Sequence, residues 1–149
     1  MSWDPERKIT VSIAQSNIEL PLPARFTLLV GKHDTGIGQM LNLLHLRSDY
    51  AFHTRANFGG NLHPEEIYSA VEGERAALER DPPHVVNVFW TQHPYVVDRF
   101  KPADVVAVAK CPDGIIRAKV LTEHPDYEKW QFGYQTGEWW AAVGEKWIK

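Results

Sequence analysis

LLVGKHDTGIGQMLNLL, residues 28–44, decides how the rest of the sequence is interpreted. A predominantly apolar run over residues 26–30 ends at Gly31, and a new apolar periodicity begins at Met40. Continuous apolar character is typical of a strand covered on both faces, and apolar spacing of three and four residues is typical of a helix. The stretch therefore predicts a strand, a glycine-rich turn and a helix.

The turn follows the spacing of a phosphate-binding loop, whose pattern is G-x-x-x-x-G-K-[ST]. Gly31 and Gly36 stand at its two glycine positions. Ile37 stands where the phosphate-binding lysine belongs, and Gly38 stands where the magnesium-binding hydroxyl belongs. All three glycines are expected to supply the backbone angles that such a turn needs. The sequence thus predicts the shape of the loop without two of its chemical groups.

Strands and helices alternate along the chain, which predicts an α/β layered sheet with flanking helices in a single domain, residues 1–149. The clearest helix is predicted over residues 65–80, because Pro64 opens it and acidic residues crowd its first turn. Strands are predicted over residues 9–13, 18–22, 26–30, 50–54, 85–90, 105–109 and 115–121, the last two as a hairpin, and short amphipathic segments over 127–132 and 138–147. The runs 26–30, 85–90 and 105–109 are expected to lie in one sheet.

Composition limits the classes of function. The chain has 149 residues, 44% of them hydrophobic, and a formal net charge of −3, which gives no general attraction to nucleic acid or to an anionic membrane. No apolar run approaches the roughly 20 residues that span a bilayer. The start, MSWDPERK, does not resemble a signal peptide, and Cys111 is the only cysteine. A cytoplasmic protein that binds neither membrane nor nucleic acid is expected.

Four stretches, in order along the chain, together carry a family resemblance. They are KITVSIAQSNIELPLPARFTLLVGKHDTG (8–36), ANFGGNLHPEE (56–66), VNVFWTQHPYVVDRFKPADVVAVAK (86–110) and HPDYEKWQFGYQTGEWWA (124–141). This set resembles the ABC-type ATPases related to RecF and SMC proteins. The second stretch resembles their Walker B segment, and the third resembles their switch-histidine strand. The resemblance implies a P-loop NTPase-like core and relatives that work in DNA repair, chromosome maintenance and defence against mobile elements.

The chain departs from this family at the acidic positions and in its length. Aligned on Leu-His-Pro, residues 62–64, the Walker B acids fall at Ala56 and Asn57. Only about 20 residues separate Gly36 from Ala56. The family places a long helical insertion there, carrying the glutamine loop and the ABC signature. The resemblance therefore implies an ABC ATPase-like core that lacks the helical insertion.

The switch motif is also changed. Thr91 and Pro94 keep their places, whereas Gln92 takes the position of the histidine and His93 follows one residue later. The resemblance implies a degenerate nucleotide site composed of Gly31, Lys32, His33, Gly36, Gly38, Thr91, Gln92 and His93.

Catalysis of phosphoryl transfer depends on positioning and on charge stabilisation. The lysine, the hydroxyl, the magnesium carboxylate and the acidic base of the family are all replaced here. The sequence therefore predicts a catalytically inactive binding or regulatory module with no catalytic residue and no cofactor. The alternative is a small nucleotide-binding protein that takes ATP with magnesium and keeps residual NTP hydrolase activity through His93.

Acid–base, nucleophilic and metal sites have weaker support in the sequence. His33 and Asp34 form either an acid–base pair or a solvated turn, and Thr91 near His93 suggests a nucleophile with its base or an ordinary strand end. The seven histidines show no metal-ligand spacing, so no metal site is predicted.

Tryptophan is concentrated near the end of the sequence. Four tryptophans lie within the last 20 residues: Trp130, Trp139, Trp140 and Trp147. In one interpretation this aromatic tail packs on the sheet and fills the space left by the missing insertion. In the other it is a surface for a protein partner or a homodimer, since clustered exposed aromatic residues mark interfaces.

Overall fold

The computed structural model describes residues 3–13, 15–32, 35–131, 133, 135–144 and 146–148, and for Trp130 and Val143 it describes the backbone alone. Seven strands are found in this part of the chain: β1 Lys8–Ile13, β2 Ser16–Pro21, β3 Phe26–Val30, β4 Ala51–Arg55, β5 Val85–Thr91, β6 Val105–Lys110 and β7 Ile116–Val120. The α-helices are α1 Ile37–His45, α2 Pro64–Arg80, α3 Pro94–Val97, α4 Tyr127–Trp130 and α5 Thr136–Val143, and single 3-10 turns span Pro102–Asp104 and Leu121–Glu123.

Five strands form one sheet in the order β4-β5-β3-β6-β7. The strands β4, β5, β3 and β6 are parallel, and β7 joins β6 as the antiparallel strand of a hairpin. Every residue of β3 and β5 is buried, as continuous apolar strands require when both faces of a sheet are covered. The prediction that residues 26–30, 85–90 and 105–109 share one sheet is confirmed, and so is the predicted hairpin.

Each face of the sheet has its own hydrophobic core, because successive side chains of a strand point to opposite faces. Leu28 and Phe89 belong to the core on the face covered by α2, α3 and α5. Leu29 and Val88 belong to the core on the other face, which α1 and the β1–β2 pair cover. The molecule is therefore a mixed α/β layered structure built on a mostly parallel sheet.

The β1–β2 pair is antiparallel and lies outside the main sheet. Ile9, Val11 and Ile13 are buried while the residues between them are exposed, as the alternating sequence pattern predicts. The Oγ of Ser16 accepts a hydrogen bond of 3.0 Å from the backbone N–H of Ile116. This bond attaches the pair to β7 at the edge of the sheet.

Helix α2 begins and ends where the sequence predicts. Pro64 occupies its first turn, and the N–H of His63 donates to Oε1 of Glu66 at 3.0 Å, which satisfies a backbone donor ahead of the helix. Ile67, Val71 and Leu78 are buried against the sheet. The helix thereby covers the face that carries Phe89.

The aromatic tail packs onto this same face. The hydroxyl of Thr136 donates to the carbonyl of Phe100 at 2.9 Å and holds the start of α5. Trp139 is 3% exposed and lies in the core, and Trp140 and Trp147 are partly buried against it. The ring of His124 contacts Trp139 and Trp147, with centroid separations of 4.8 and 5.1 Å. The prediction that the tail packs on the sheet is therefore confirmed for Trp139, which cannot serve as an exposed partner contact.

Candidate functional site

Three segments of the predicted site meet at the carboxyl edge of the parallel sheet, where ligand crevices of such sheets open. The indole N–H of Trp90 donates to the carbonyl of Gly31 at 3.1 Å. The N–H of Phe58 donates to the carbonyl of Trp90 at 2.7 Å, and the hydroxyl of Thr91 donates to the carbonyl of Phe58 at 2.8 Å. The structure thus brings the loop after β3, the loop after β4 and the end of β5 together.

The loop after β3 turns from strand to helix, as predicted. Gly36 has φ +77° and caps α1, and a Cβ there would lie 3.4 Å from side-chain carbons of Ile13 and Ile116. A Cβ at Gly31 would lie 2.5 Å from the carbonyl oxygen of Val108, so the neighbouring strand approaches this glycine too closely for a side chain. Gly36 is needed for its left-handed backbone conformation. Gly31 is needed because the neighbouring strand packs closely against it.

Gly38 has a different role from the one expected. It lies inside the first turn of α1, and apart from the adjacent residues and the backbone of its own helix, no atom lies within 4 Å of the place where its Cβ would be. Its backbone is not in the left-handed region. The expectation that Gly38 supplies a turn angle is therefore wrong, because the helix already begins at Ile37.

Ile37, at the position that the resemblance assigns to the phosphate-binding lysine, is completely buried. Its Cδ1 lies 3.0 Å from the place where a Cβ of Gly31 would be, and it packs in the core with Met40 and Leu41. An apolar side chain therefore fills the inside of the turn, where a phosphate-binding lysine would have to carry its charge.

Thr35 closes the loop. Its hydroxyl and its N–H both donate to the carbonyl of Lys32, at 2.7 and 3.3 Å, and the side chain is 2% exposed. The Lys32 side chain is exposed. His33 and Asp34 lie outside the described residues, so their suggested pairing stays a prediction. Thr35 was not among the predicted site residues, although a hydroxyl residue beside a turn glycine is a known signal for such a bond.

The loop after β4 is shaped by a left-handed asparagine. Asn57 has φ +54°, a conformation that asparagine adopts more readily than most residues, and its carbonyl accepts a bond from the N–H of Gly60 at 3.2 Å. Ala56 and Asn57 are both exposed. The position that the resemblance assigns to the acidic base therefore holds a turn-forming amide.

Thr91 and His93 do not act on each other as nucleophile and base in this geometry. The proton of the Thr91 hydroxyl goes to Phe58, and the same oxygen accepts a bond from the backbone N–H of His93 at 3.0 Å. The Nδ1 of His93 accepts from the N–H of Tyr95 at 3.3 Å and caps α3. Gln92 is exposed. The side chains of Thr91 and His93 are thus both hydrogen-bonded to nearby backbone groups.

Two substitutions distinguish the structural roles of Gly31 and Gly38. Gly31→Ala is expected to lower the free energy of unfolding by about 2 kcal/mol, because the added carbon overlaps the backbone of Val108. Gly38→Ala is expected to raise it by about 0.5–1 kcal/mol, because alanine favours a helix and the surrounding space is open. Urea denaturation followed by tryptophan fluorescence measures both. Equal effects of the two changes would contradict the packing described for Gly31.

Within the described ranges of the chain, no group of three or more His, Cys, Asp or Glu side chains is placed to hold a metal ion. Nor does any helix there combine the length and apolar composition of a membrane crossing.

No protein-family model matches the chain, and a comparison with curated proteins gives no significant match. The assignment of a function therefore depends on the residues of the site.

Proposed function

We propose that this chain is a catalytically inactive relative of RecF/SMC-like ABC ATPases, acting as a binding or regulatory module. The observation that carries the proposal is the complete burial of Ile37 at the position of the phosphate-binding lysine. A hydrolase needs a positive charge at this point of the loop. Here the position contributes instead to the hydrophobic core.

The P-loop ancestry included in this proposal is supported by the meeting of three motif segments. The resemblance assigns the loop after Gly31, the segment starting at Ala56 and the strand ending at Thr91 to one nucleotide site. Hydrogen bonds of 2.7–3.1 Å connect these segments at one edge of the sheet. The meeting agrees with the resemblance, and it also follows from the topology, because the carboxyl ends of neighbouring parallel strands share one edge of a sheet.

The loss of activity is supported by the other replaced positions. Gly38 offers no hydroxyl for magnesium, and Ala56 and Asn57 offer no carboxylate for the metal or for the attacking water. Gly38 lies in helix α1, and Ala56 and Asn57 lie in the loop after β4, so one compensating side chain cannot replace all three. The proposed activity is therefore binding without hydrolysis.

A protein partner is the proposed ligand of the module. Within the tail, Trp140 and Trp147 are partly buried and keep some exposed surface, whereas Trp139 is enclosed in the core. The proposal therefore places the tail's contribution to a partner or homodimer contact on Trp140 and Trp147. Trp130 belongs to the same hypothesis, and its side chain lies outside the described atoms.

Isothermal titration with ATP, with and without magnesium, tests the proposal. The wild type is expected to show no magnesium-dependent binding and no ATP turnover. The variant Ile37→Lys with Gly38→Ser is expected to show no turnover either, since Ala56 and Asn57 leave the metal and the water without ligands.

Ile37→Met is the matched control for folding, because it changes the shape of the buried side chain and adds no charge. Circular dichroism of both variants determines whether they fold, and turnover is measured only on folded protein. Magnesium-dependent turnover in the wild type would support the alternative of a residual hydrolase through His93. Turnover in the double variant alone would show that the catalytic acids lie elsewhere than positions 56 and 57.

A further inference from the structure

The two edges of the main sheet are covered differently. At the β7 edge, the β1–β2 pair packs alongside, and Oγ of Ser16 accepts the N–H of Ile116 at 3.0 Å. At the opposite edge lies β4, and no strand that the structure describes pairs with its outer side. An edge strand of this kind presents backbone donors and acceptors to which another strand can bind.

The parallel ladder between β4 and β5 shows which backbone groups of β4 point outward. The N–H of Ala51 donates to the carbonyl of His84 at 3.0 Å, on the side of β5. Because the backbone groups of successive residues in a strand point to alternate sides, the other odd-numbered residues of β4 also turn theirs toward β5. The N–H and C=O groups of Phe52 and Thr54 therefore point away from the sheet.

Side chains leave this edge accessible. A cavity of about 310 Å³ is lined by His45 of α1, by Glu74 of α2, and by His53 and Thr54 of β4. The two helices cover opposite faces of the sheet, and neighbouring residues of a strand point to opposite faces, so this cavity passes around the outer side of β4. The structure describes the chain without a gap from α1 to β7, which includes these residues and their neighbours in sequence.

Charged side chains at the two ends of β4 favour pairing with an antiparallel copy of itself. Asp49 precedes the strand and forms an ion pair with Arg47 at 2.6 Å, and Arg55 ends the strand and forms one with Glu74 at 3.1 Å. The side chains of Asp49 and Arg55 remain 43% and 59% exposed, so each can take a second partner. An antiparallel copy brings these opposite charges together at both ends, whereas a parallel copy in register places like charges side by side.

We propose that β4 pairs with β4 of a second copy of this chain, antiparallel and about a two-fold axis at His53. In this register Phe52 of each copy lies opposite Thr54 of the other. Each such pair exchanges both backbone hydrogen bonds, which gives about four in the contact. The two five-stranded sheets thereby become one continuous sheet across the dimer.

The same register suits the side chains beside the axis. Ala51 lies opposite Arg55 of the second copy, so a small side chain faces a long one, and Asp49 lies diagonal to the same arginine, within reach of its side chain. A two-fold contact uses the β4 edge of each copy once, so association ends at the dimer. The contact includes neither the loop after β3 nor the aromatic tail, so it does not depend on the proposed function.

Sedimentation equilibrium of the wild type and of two variants at position 54 tests the pairing. Thr54→Pro removes an outward N–H from the edge and leaves every hydrogen bond to β5 in place. It is expected to weaken the dimer by at least about tenfold, since two hydrogen bonds are lost per dimer and the proline ring blocks the approach of the strand. Thr54→Val is the matched control, because it keeps the N–H and the branched shape, and is expected to dimerise like the wild type.

Two opposite charges at position 51 test the register. Ala51→Glu places a carboxylate opposite Arg55 of the second copy and is expected to strengthen the dimer by about twofold or more. Ala51→Lys places a like charge there and is expected to weaken it by a similar factor. Both variants change the same exposed residue of the monomer. This pair also tests the proposal if Thr54→Pro does not fold.

Amide hydrogen exchange locates the contact. The N–H groups of Phe52 and Thr54 are expected to become protected as the protein concentration rises. The N–H of Ala51, which is bonded to His84 in the monomer, is expected to be protected at every concentration.

A wild type that stays monomeric at millimolar concentration would overturn the proposal, and so would equal dissociation constants of the two variants at position 54 or of the two at position 51. Protection of Phe52 and Thr54 in the monomer would show that another segment of the chain occupies the edge, which also overturns it. A dimer that Trp140→Ala dissociates and Thr54→Pro leaves intact would assign self-association to the tail instead. None of these results affects the titration with ATP, so the two proposals fail separately.

Discussion

Trp139→Ala is expected to lower the free energy of unfolding by about 3–5 kcal/mol, the range for removing a large aromatic side chain from a core. Trp139 is 3% exposed, and its ring meets His124 edge to face at an angle of 84°. The tail covers the sheet face that carries Phe89. Loss of the indole leaves a cavity between the tail and that face, which the neighbouring residues can fill only in part.

Trp140→Ala is the matched control, since it removes the same side chain from the next residue of α5. Trp140 is only partly buried, so a loss of roughly 1 kcal/mol is expected. Urea denaturation followed by circular dichroism measures both variants. If Trp139→Ala were as mild as its neighbour, the tail would not be part of the core. The comparison also shows which tryptophan can be replaced in a test of self-association without unfolding the chain.

Gly137→Ala is expected to cost about 3 kcal/mol or more, at the upper end of overpacking effects. Gly137 lies in the first turn of α5, and its N–H donates to Oδ1 of Asp98 at 2.6 Å. A Cβ there would overlap the carbonyl oxygen of Pro94 and lie 2.7 Å from Oδ1 of Asp98. The backbone of α3 cannot move aside as a flexible side chain would, so α5 must shift away from its position against α3.

Gly73→Ala is the control for this change, because Gly73 lies within α2 and has no atom within 4 Å of its Cβ position. Alanine there is expected to raise the free energy of unfolding by about 0.5–1 kcal/mol through its higher helix propensity. The same chemical substitution should therefore have opposite signs at positions 73 and 137. Thermal or urea denaturation that gave both changes the same sign would contradict the close docking of α5 on α3.

The strands were predictable because their signal is local. Phe26–Val30 and Val85–Thr91 are predominantly apolar, with Thr27, Asn87 and Thr91 as the polar exceptions, and a strand of this kind must be covered on both faces wherever it lies. Helix α2 was predictable for the same reason, since Pro64 and the acids after it mark a helix start. These properties depend on neighbours along the chain, so no tertiary contact was needed to infer them.

The candidate site was predictable only in part. The turn at Gly36 follows from its place between a strand and a helix. The roles of Gly31 and Gly38 did not follow from the spacing, because one glycine is required by the approach of Val108 and the other has open space around it. The three glycines look alike in the sequence, and only the surroundings of each distinguish them.

The alternation of strands and helices can be inferred from the sequence alone, and so can the absence of charged side chains at Ile37, Gly38, Ala56 and Asn57. Which residues meet depends on the tertiary structure. The order β4-β5-β3-β6-β7 brings Thr91 to Phe58 and places the end of the tail against Cys111. Lys32, Lys110 and Lys146 line one cavity although long stretches of chain separate them. Periodicity encodes which face of an element is buried, but the pairing of distant strands arises from packing over the whole chain.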